Sequence, residues 1–312
     1  MNIVFFGSDD FAAANLEELI TQRQQILACV TPPDKARGRG LKVLPCAVKA
    51  CALKHRIPVH QPDDLKEKSV ERTLAAYGAD LFVVIAYGKY LPANILAIPK
   101  LFAVNAHASL LPKYRGAAPI NWAIINGDKA TGVSIIRVNE KMDAGDIIAR
   151  VRVQIEGDDT AETLRKKLVP ASAACLLEAI ANIEKETVSF VPQNPKDVSY
   201  APKLTKTTGC IVWKKTAPEI HRLIRGLVPW PGAHTRFQNK TLKIVDSAVV
   251  GSRGGAGHRP GAVLDISESG ILVATGKDSL LLQTVHPESS RVMPAAAFAA
   301  GHKIKPGCVL GN

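Results

Sequence analysis

The sequence predicts an α/β fold: a Rossmann-like, mostly parallel sheet covered by helices, followed by a smaller β-barrel domain. Three observations lead there. Short apolar runs alternate with helix-period segments over the first 184 residues, the pattern of a parallel sheet buried on both faces. A proline-rich polar stretch, 188–206, interrupts it and reads as a linker. After it come one helix and several short, evenly spaced strand patterns separated by glycine-rich turns, the signature of a small barrel. The domains expected are therefore 1–187, a linker 188–206, and 207–312. Five strands with a basic surface suit an oligonucleotide-binding (OB-like) barrel.

The elements follow in order. "IVFFG" (3–7) is a buried strand stopping at Gly7. Residues 10–23 carry Phe11, Leu16, Leu19 and Ile20 at helical spacing, with Asp9 or Asp10 as the N-cap. "ILACV" (26–30) is a strand, 46–56 a helix, and another helix lies near 65–77. "DLFVVIAYG" (80–88) and "LFAVNAH" (101–107) are central strands. A helix over 118–127 ends at Gly127. Strands over 131–138 and 146–155 precede a long helix, 160–184, that Pro170 is expected to kink. Beyond the linker, a helix at 217–227 leads through "PWPGA" to strands near 234–249, 261–266, 270–275 and 279–285.

Composition narrows the function. The chain has 312 residues, 46% of them apolar, with 40 Lys and Arg against 28 Asp and Glu, a net charge of +12. From Lys203 onward there are 15 basic and 6 acidic residues, +9, leaving only +3 for residues 1–202. A basic second domain points to a polyanionic partner. The six cysteines form no CxxC and no metal-ligand spacing with histidine, so free thiols in a reducing compartment are expected. "MNIVFFGSDD" has neither the basic region nor the long apolar stretch of a signal peptide, and no segment approaches ~20 unbroken apolar residues. A cytoplasmic chain without a membrane span is expected. "GSDDFA" after the first strand has only Gly7, so it is not a GxGxxG dinucleotide motif.

The stretch "NAHASLLPKYRG" (105–116) carries the chemistry. In an open parallel sheet, ligands bind beyond the carboxyl ends of the strands, where Asn105 and His107 lie. Residues i and i+2 of a strand share a face. A histidine can move a proton near neutral pH, and an asparagine amide can donate to an oxygen that gains negative charge. A strand-end histidine is more often a structural residue, but Asp143, in the loop of "NEKMDAGDII", adds a carboxylate that could orient it or hold a water. Either His107 or such a water could be the base. The loop "TPPDKARGRGLK" (31–42) alternates Lys35, Arg37, Arg39 and Lys42 with glycines, as in a solvated loop or in an arm that orders on nucleic acid.

The segments "NAHASLLPKYRGAAPINWAIINGD", "TGVSIIRVNEKMDAGDII", "TPPDKARGRGLK", "YAPKLTK" and "IRGLVPWPGA" resemble the signature segments of the methionyl-tRNA formyltransferase family, a branch of the folate-dependent formyltransferases. The resemblance runs over nearly the whole chain. It implies transfer of a formyl group from 10-formyltetrahydrofolate to the methionine α-amino group of initiator Met-tRNA, for translation initiation. It implies Asn105, His107 and Asp143 as the catalytic constellation. Ser109, Leu110, Leu111 and Pro112 would hold the folate, with Ile85, Ala86, Tyr87, Gly88 and Leu91 walling its pocket. Lys35, Arg37, Arg39 and Lys42 would contact the tRNA acceptor end. A monomer with no metal and no nicotinamide is implied. Ser8-Asp9 replaces the Thr-Pro usual in the family, and Val212 stands where an acidic or amide residue often precedes the tryptophan. The alternatives are a formyltransferase for a sugar-nucleotide amine, a 10-formyltetrahydrofolate hydrolase, and a catalytically dead RNA-binding relative.

Overall fold

The computed structural model describes residues 1–37, 42–251 and 257–311. It divides into two compact units: 1–119 with 130–154 and 165–201, and 120–129 with 155–164 and 202–312.

The first unit is built on strands whose apolar runs are buried on both faces. β1 (Asn2–Gly7) leads into α1 (Asp10–Thr21), and β2 (Gln25–Val30) follows. The side chain of Asp9, rather than Asp10, caps α1 by accepting from the Ala12 N–H at 2.9 Å. The expected 31–42 loop contains a two-stranded antiparallel ribbon, β3 (Lys35–Arg37) with β4 (Lys42–Leu44). Next come α2 (Ala47–Lys54), the short β5 (Val59–His60) and α3 (Lys68–Ala75). β6 (Leu81–Ile85), α4 (Ala93–Leu96) and β7 (Phe102–His107) complete the parallel part.

After α5 (Pro119–Ile125), β8 (Ala130–Arg137) runs antiparallel to β7 and β9 (Ile147–Gln154) antiparallel to β8, giving the order β5-β2-β1-β6-β7-β8-β9. The sheet is thus mostly parallel. On one face Val4, Phe6, Val30, Phe82 and Val84 form a core with Leu65, Leu74 and Ile95. Ile3, Phe5, Val83 and Ile85 alternate to the other face and are equally buried. α6 (Ala161–Glu184) runs through Pro170 as a single helical element.

The second unit contains α7 (Ala217–Leu227), whose start is fixed by a capping box: Thr216 and Glu219 satisfy each other's backbone N–H groups. The expected 234–249 strand is a hairpin, β10 (Ala233–Phe237) and β11 (Lys240–Val250). Gln238 and Asn239 turn it with φ of 49° and 62°, the two left-handed residues of a tight hairpin. β12 (Val263–Ser267), β13 (Gly270–Ala274), β14 (Ser279–Pro287), β15 (Met293–Pro294) and α8 (Ala295–Gly301) follow. The antiparallel order is β10-β11-β14-β13-β12, with β15 on β14. Among the described residues β10 and β12 are not paired with each other, so the OB-like sheet is not closed into a barrel. Ile220 and Ile224 of α7 and Phe298 of α8 pack into its core with Trp213, Leu242 and Leu282. Among the described residues no helix is long and apolar enough to cross a membrane.

Candidate active site

β7 carries Asn105 and His107 on one face at its carboxyl end, in register with Ile136 and Ser134 of β8. His107 is 7% exposed. Its Nε2 lies 2.8 Å from the carbonyl oxygen of Tyr114. A carbonyl only accepts, so Nε2 carries a proton. In the neutral ring Nδ1 therefore holds the lone pair, and Nδ1 is 3.6 Å from Asp143 Oδ2. That separation is too long for a good hydrogen bond but suits an ion pair once the ring is protonated.

Two hydrogen bonds hold the Asp143 carboxylate. Its Oδ2 accepts the Gly116 N–H at 2.8 Å, and its Oδ1 accepts from Asn105 Nδ2 at 3.3 Å. One amide N–H of Asn105 is thus committed to the carboxylate, and the amide has a second to give. The sequence alone could not show that Asp143 meets His107; the backbone shows how it does. The 138–146 loop turns back on itself, with Asp143 at φ 50°. Gly145 allows the turn, because a Cβ there would stand 1.7 Å from the Arg137 carbonyl oxygen. Gly145→Ala is expected to displace the loop, destabilise the first unit by about 1–3 kcal/mol and lower activity with it. Thermal melting and turnover of the purified variant check both.

The segment after β7 is buttressed from within. Ser109 is fully buried and donates its hydroxyl to the Lys113 carbonyl at 2.6 Å. Ser134 Oγ donates to Ser109 O at 2.8 Å and accepts from Leu111 N–H at 3.0 Å. Leu111 is buried, whereas Leu110 and Pro112 are half-buried. Of the expected pterin wall, Ile85, Tyr87 and Leu91 are core residues, while Ala86 and Gly88 are exposed. Tyr87 packs edge-on against Phe6, and its buried hydroxyl has no hydrogen-bond partner among the described residues. Burial pushes that phenol up to about 12, so it stays a neutral donor. Ala86 and Gly88, exposed on either side of Tyr87, leave their backbone open to a flat ligand with polar edges.

Lys35, Arg37 and Lys42 fall on the β3–β4 ribbon, and Arg39 lies outside the described residues. The root of the ribbon is anchored by polar groups. Gln61 Nε2 donates to Asp34 Oδ1 at 2.9 Å and to Pro32 O at 2.8 Å, and Lys49 Nζ donates to Gln61 Oε1 at 2.6 Å.

Sequence reading missed two groups. Cys51 and His55 lie four apart at the end of α2, and with Glu17 of α1 their ligand atoms fall within 4.8 Å of one another. The cluster is already satisfied: Glu17 accepts from Lys54 Nζ at 2.9 Å, pairs with His55 Nε2 at 2.9 Å and accepts from the Cys51 thiol at 3.3 Å. Lys54 and His55 hold the Glu17 carboxyl down to about 2, and burial, then Glu17, pushes the Cys51 thiol up to about 12. A protonated thiol is a poor metal ligand. The other missed group is Gln193, whose Nε2 donates to Asp143 O at 2.9 Å and Gly145 O at 2.8 Å. It sits inside the stretch expected as linker, residues 188–201 of which belong to the first unit.

Comparison with known proteins gives the same site a context. Residues 1–180 match the formyl transferase family, and residues 203–303 match the formyl transferase C-terminal domain. The methionyl-tRNA formyltransferase of Acetivibrio thermocellus is 42% identical over 312 residues, covering 100% of both chains. That of Desulforamulus reducens is 42% identical over 311 residues, covering 100% of this chain and 98% of the relative. Among solved structures, the sugar 3N-formyl transferase WlaRD aligns with a TM-score of 0.66 at 19% identity, covering 93% of this chain and 99% of its own. HypX from Aquifex aeolicus, in complex with tetrahydrofolic acid, aligns at 0.65 and 16% identity over 97% of this chain, which spans 48% of HypX. These two share the fold. The full-length relatives decide the family: the chain belongs to the formyl transferases, among the methionyl-tRNA formyltransferases.

Proposed function

We propose that the chain transfers the formyl group of 10-formyltetrahydrofolate to the methionine α-amino group of initiator Met-tRNA, in the cytoplasm and as a monomer, with Asn105, His107 and Asp143 at the reacting atoms. The observation that carries this is the His107 ring held by Nε2–H on the Tyr114 carbonyl, which leaves Nδ1 facing Asp143. The residues 1–187 would do the chemistry and 207–312 hold the tRNA.

The reaction joins the amine nitrogen to the formyl carbon and breaks that carbon's bond to N10. The proton lost by the amine ends on N10. His107 Nδ1 is the group suited to carry it, and Asp143 stabilises the imidazolium while it does. Between the two bases left open by the sequence, this geometry favours His107. The second N–H of Asn105 donates to the formyl oxygen as charge develops there. Leu110, Pro112 and the backbone of 86–88 would hold the folate, with the Tyr87 ring behind them in the core. Ser109 and Leu111 would support this wall from behind; Ile85 and Leu91 would do so from the core.

Lys35, Arg37, Arg39 and Lys42 would bind the acceptor end, and the +9 region after Lys203 the tRNA backbone. Neutralising 6–10 phosphates makes affinity fall by ~10³–10⁵ between 50 and 200 mM salt. Filter binding of initiator Met-tRNA across that range should show this slope. A dTDP-amino sugar offered as acceptor should yield no formylated product. Salt-independent tRNA binding together with formylation of the sugar would replace this reading by the sugar-nucleotide one.

A further inference from the structure

Two residues that shape the site, Tyr114 and Asp143, have φ of 63° and 50°. This left-handed conformation is costly for residues with a side chain and persists where the surroundings over-determine it. Both are gripped by one segment, residues 191–201. Val191 pairs with Ile147 through both backbone bonds, at 2.8 and 2.9 Å, which fixes the segment beside β9. Gln193 then donates to Asp143 O and Gly145 O, while its Oε1 accepts from Arg115 Nε at 3.0 Å and Nη2 at 2.7 Å. Ser199 Oγ accepts the Tyr114 N–H at 2.9 Å. The backbone continues the grip, from Ser199 N–H to Pro112 O and from Arg115 N–H to Ser199 O.

We infer that residues 191–201 are a positioning strap for formyl transfer, in which Gln193 sets Asp143 and Ser199 sets His107 through the Tyr114 carbonyl. The hydrogen bonds of both side chains go to other residues than Asn105 and His107; each acts through the residue it holds. Gln193 stitches both sides of the site, since Arg115 adjoins Tyr114 and Asp143 caps the Gly116 N–H. With the Tyr114 N–H anchored, its carbonyl stays on His107 Nε2 and the ring keeps Nδ1 unprotonated toward Asp143. Loss of either handle lets a strained residue relax, which moves a reacting group without removing it. A misplacement near 1 Å can cost about 10²-fold in rate.

The inference rests on the transfer reading, and the test separates the two. Gln193→Ala, Gln193→Glu, Ser199→Ala and Ser199→Thr are compared with the wild-type chain for kcat, for KM of Met-tRNA and donor, and for thermal melting. Gln193→Ala and Ser199→Ala are expected to lower kcat by about 10–10²-fold with both KM values little changed. Ser199→Thr keeps the hydroxyl and should recover most of the rate. Gln193→Glu keeps the length but loses the donor to both carbonyls and should resemble Gln193→Ala. Independently of turnover, ¹⁵N shifts of the His107 ring should report the Nε2–H tautomer in the wild type and a mixture in Ser199→Ala. Amide exchange at Gly116 should quicken in Gln193→Ala. Unchanged kcat, a rise confined to KM, or a His107 tautomer and Gly116 exchange indifferent to both alanine variants would each overturn the strap. Wild-type protein that fails to formylate Met-tRNA while showing the tautomer and exchange effects would overturn the reaction and leave the strap standing.

Discussion

His107→Ala is expected to lower kcat for formyl transfer by about 10²–10⁴-fold while leaving Met-tRNA binding nearly intact. The ring is 7% exposed and bonded to the Tyr114 carbonyl, so little of it is open to contact with the tRNA. The loss should therefore fall on the chemical step. Removing the imidazole removes the proton carrier that faces the Asp143 carboxylate. Rapid-quench turnover and filter binding on the same preparation separate the two effects. Wild-type kcat in this variant would mean that an Asp143-held water is the base. Asp143→Asn would then carry the large defect alone.

Asn105→Ala is expected to cost about 10²–10³-fold in kcat, the usual effect of losing one oxyanion donor. The variant also deprives Asp143 Oδ1 of its partner at 3.3 Å. Asp143 keeps the Gly116 N–H and the hold of Gln193 on its backbone, so the carboxylate should stay in place. Asn105→Asp tests the polarity of the requirement. It has nearly the same shape but brings a negative charge beside Asp143 and the developing oxyanion, so it should be at least as damaging as alanine. Activity near wild type in either variant would remove Asn105 from the oxyanion role and leave it a structural partner of Asp143.

Much of this was legible in the sequence, for physical reasons. β1, β6 and β7 are buried on both faces, so they read as continuous apolar runs, and in open parallel sheets the carboxyl ends of such strands are the usual ligand side. Asn105 and His107 followed from the period of two. The reversed direction of β8 did not, because one antiparallel strand near a sheet edge has no signature that separates it from a parallel one. The pairing of Asp143 with His107 depends on a backward turn at Gly145 whose cause, the Arg137 carbonyl, is eight residues away. The strap was read as linker because its order comes from hydrogen bonds rather than apolar burial: it is polar, rich in proline and nearly without core residues. Ile85, Tyr87 and Leu91 show the converse. Their sequence position beside the site suggested ligand contact, and the structure shows that all three side chains are buried.

The most direct measurement is the formyl-Met-tRNA formed from 10-formyltetrahydrofolate with Met-tRNA of the initiator and of the elongator as acceptors. The account predicts rapid transfer to the initiator, little to the elongator, and no consumption of donor without acceptor. Donor consumed with neither tRNA formylated would contradict it, and would leave the fold and the Asn105–His107–Asp143 cluster serving a different acceptor.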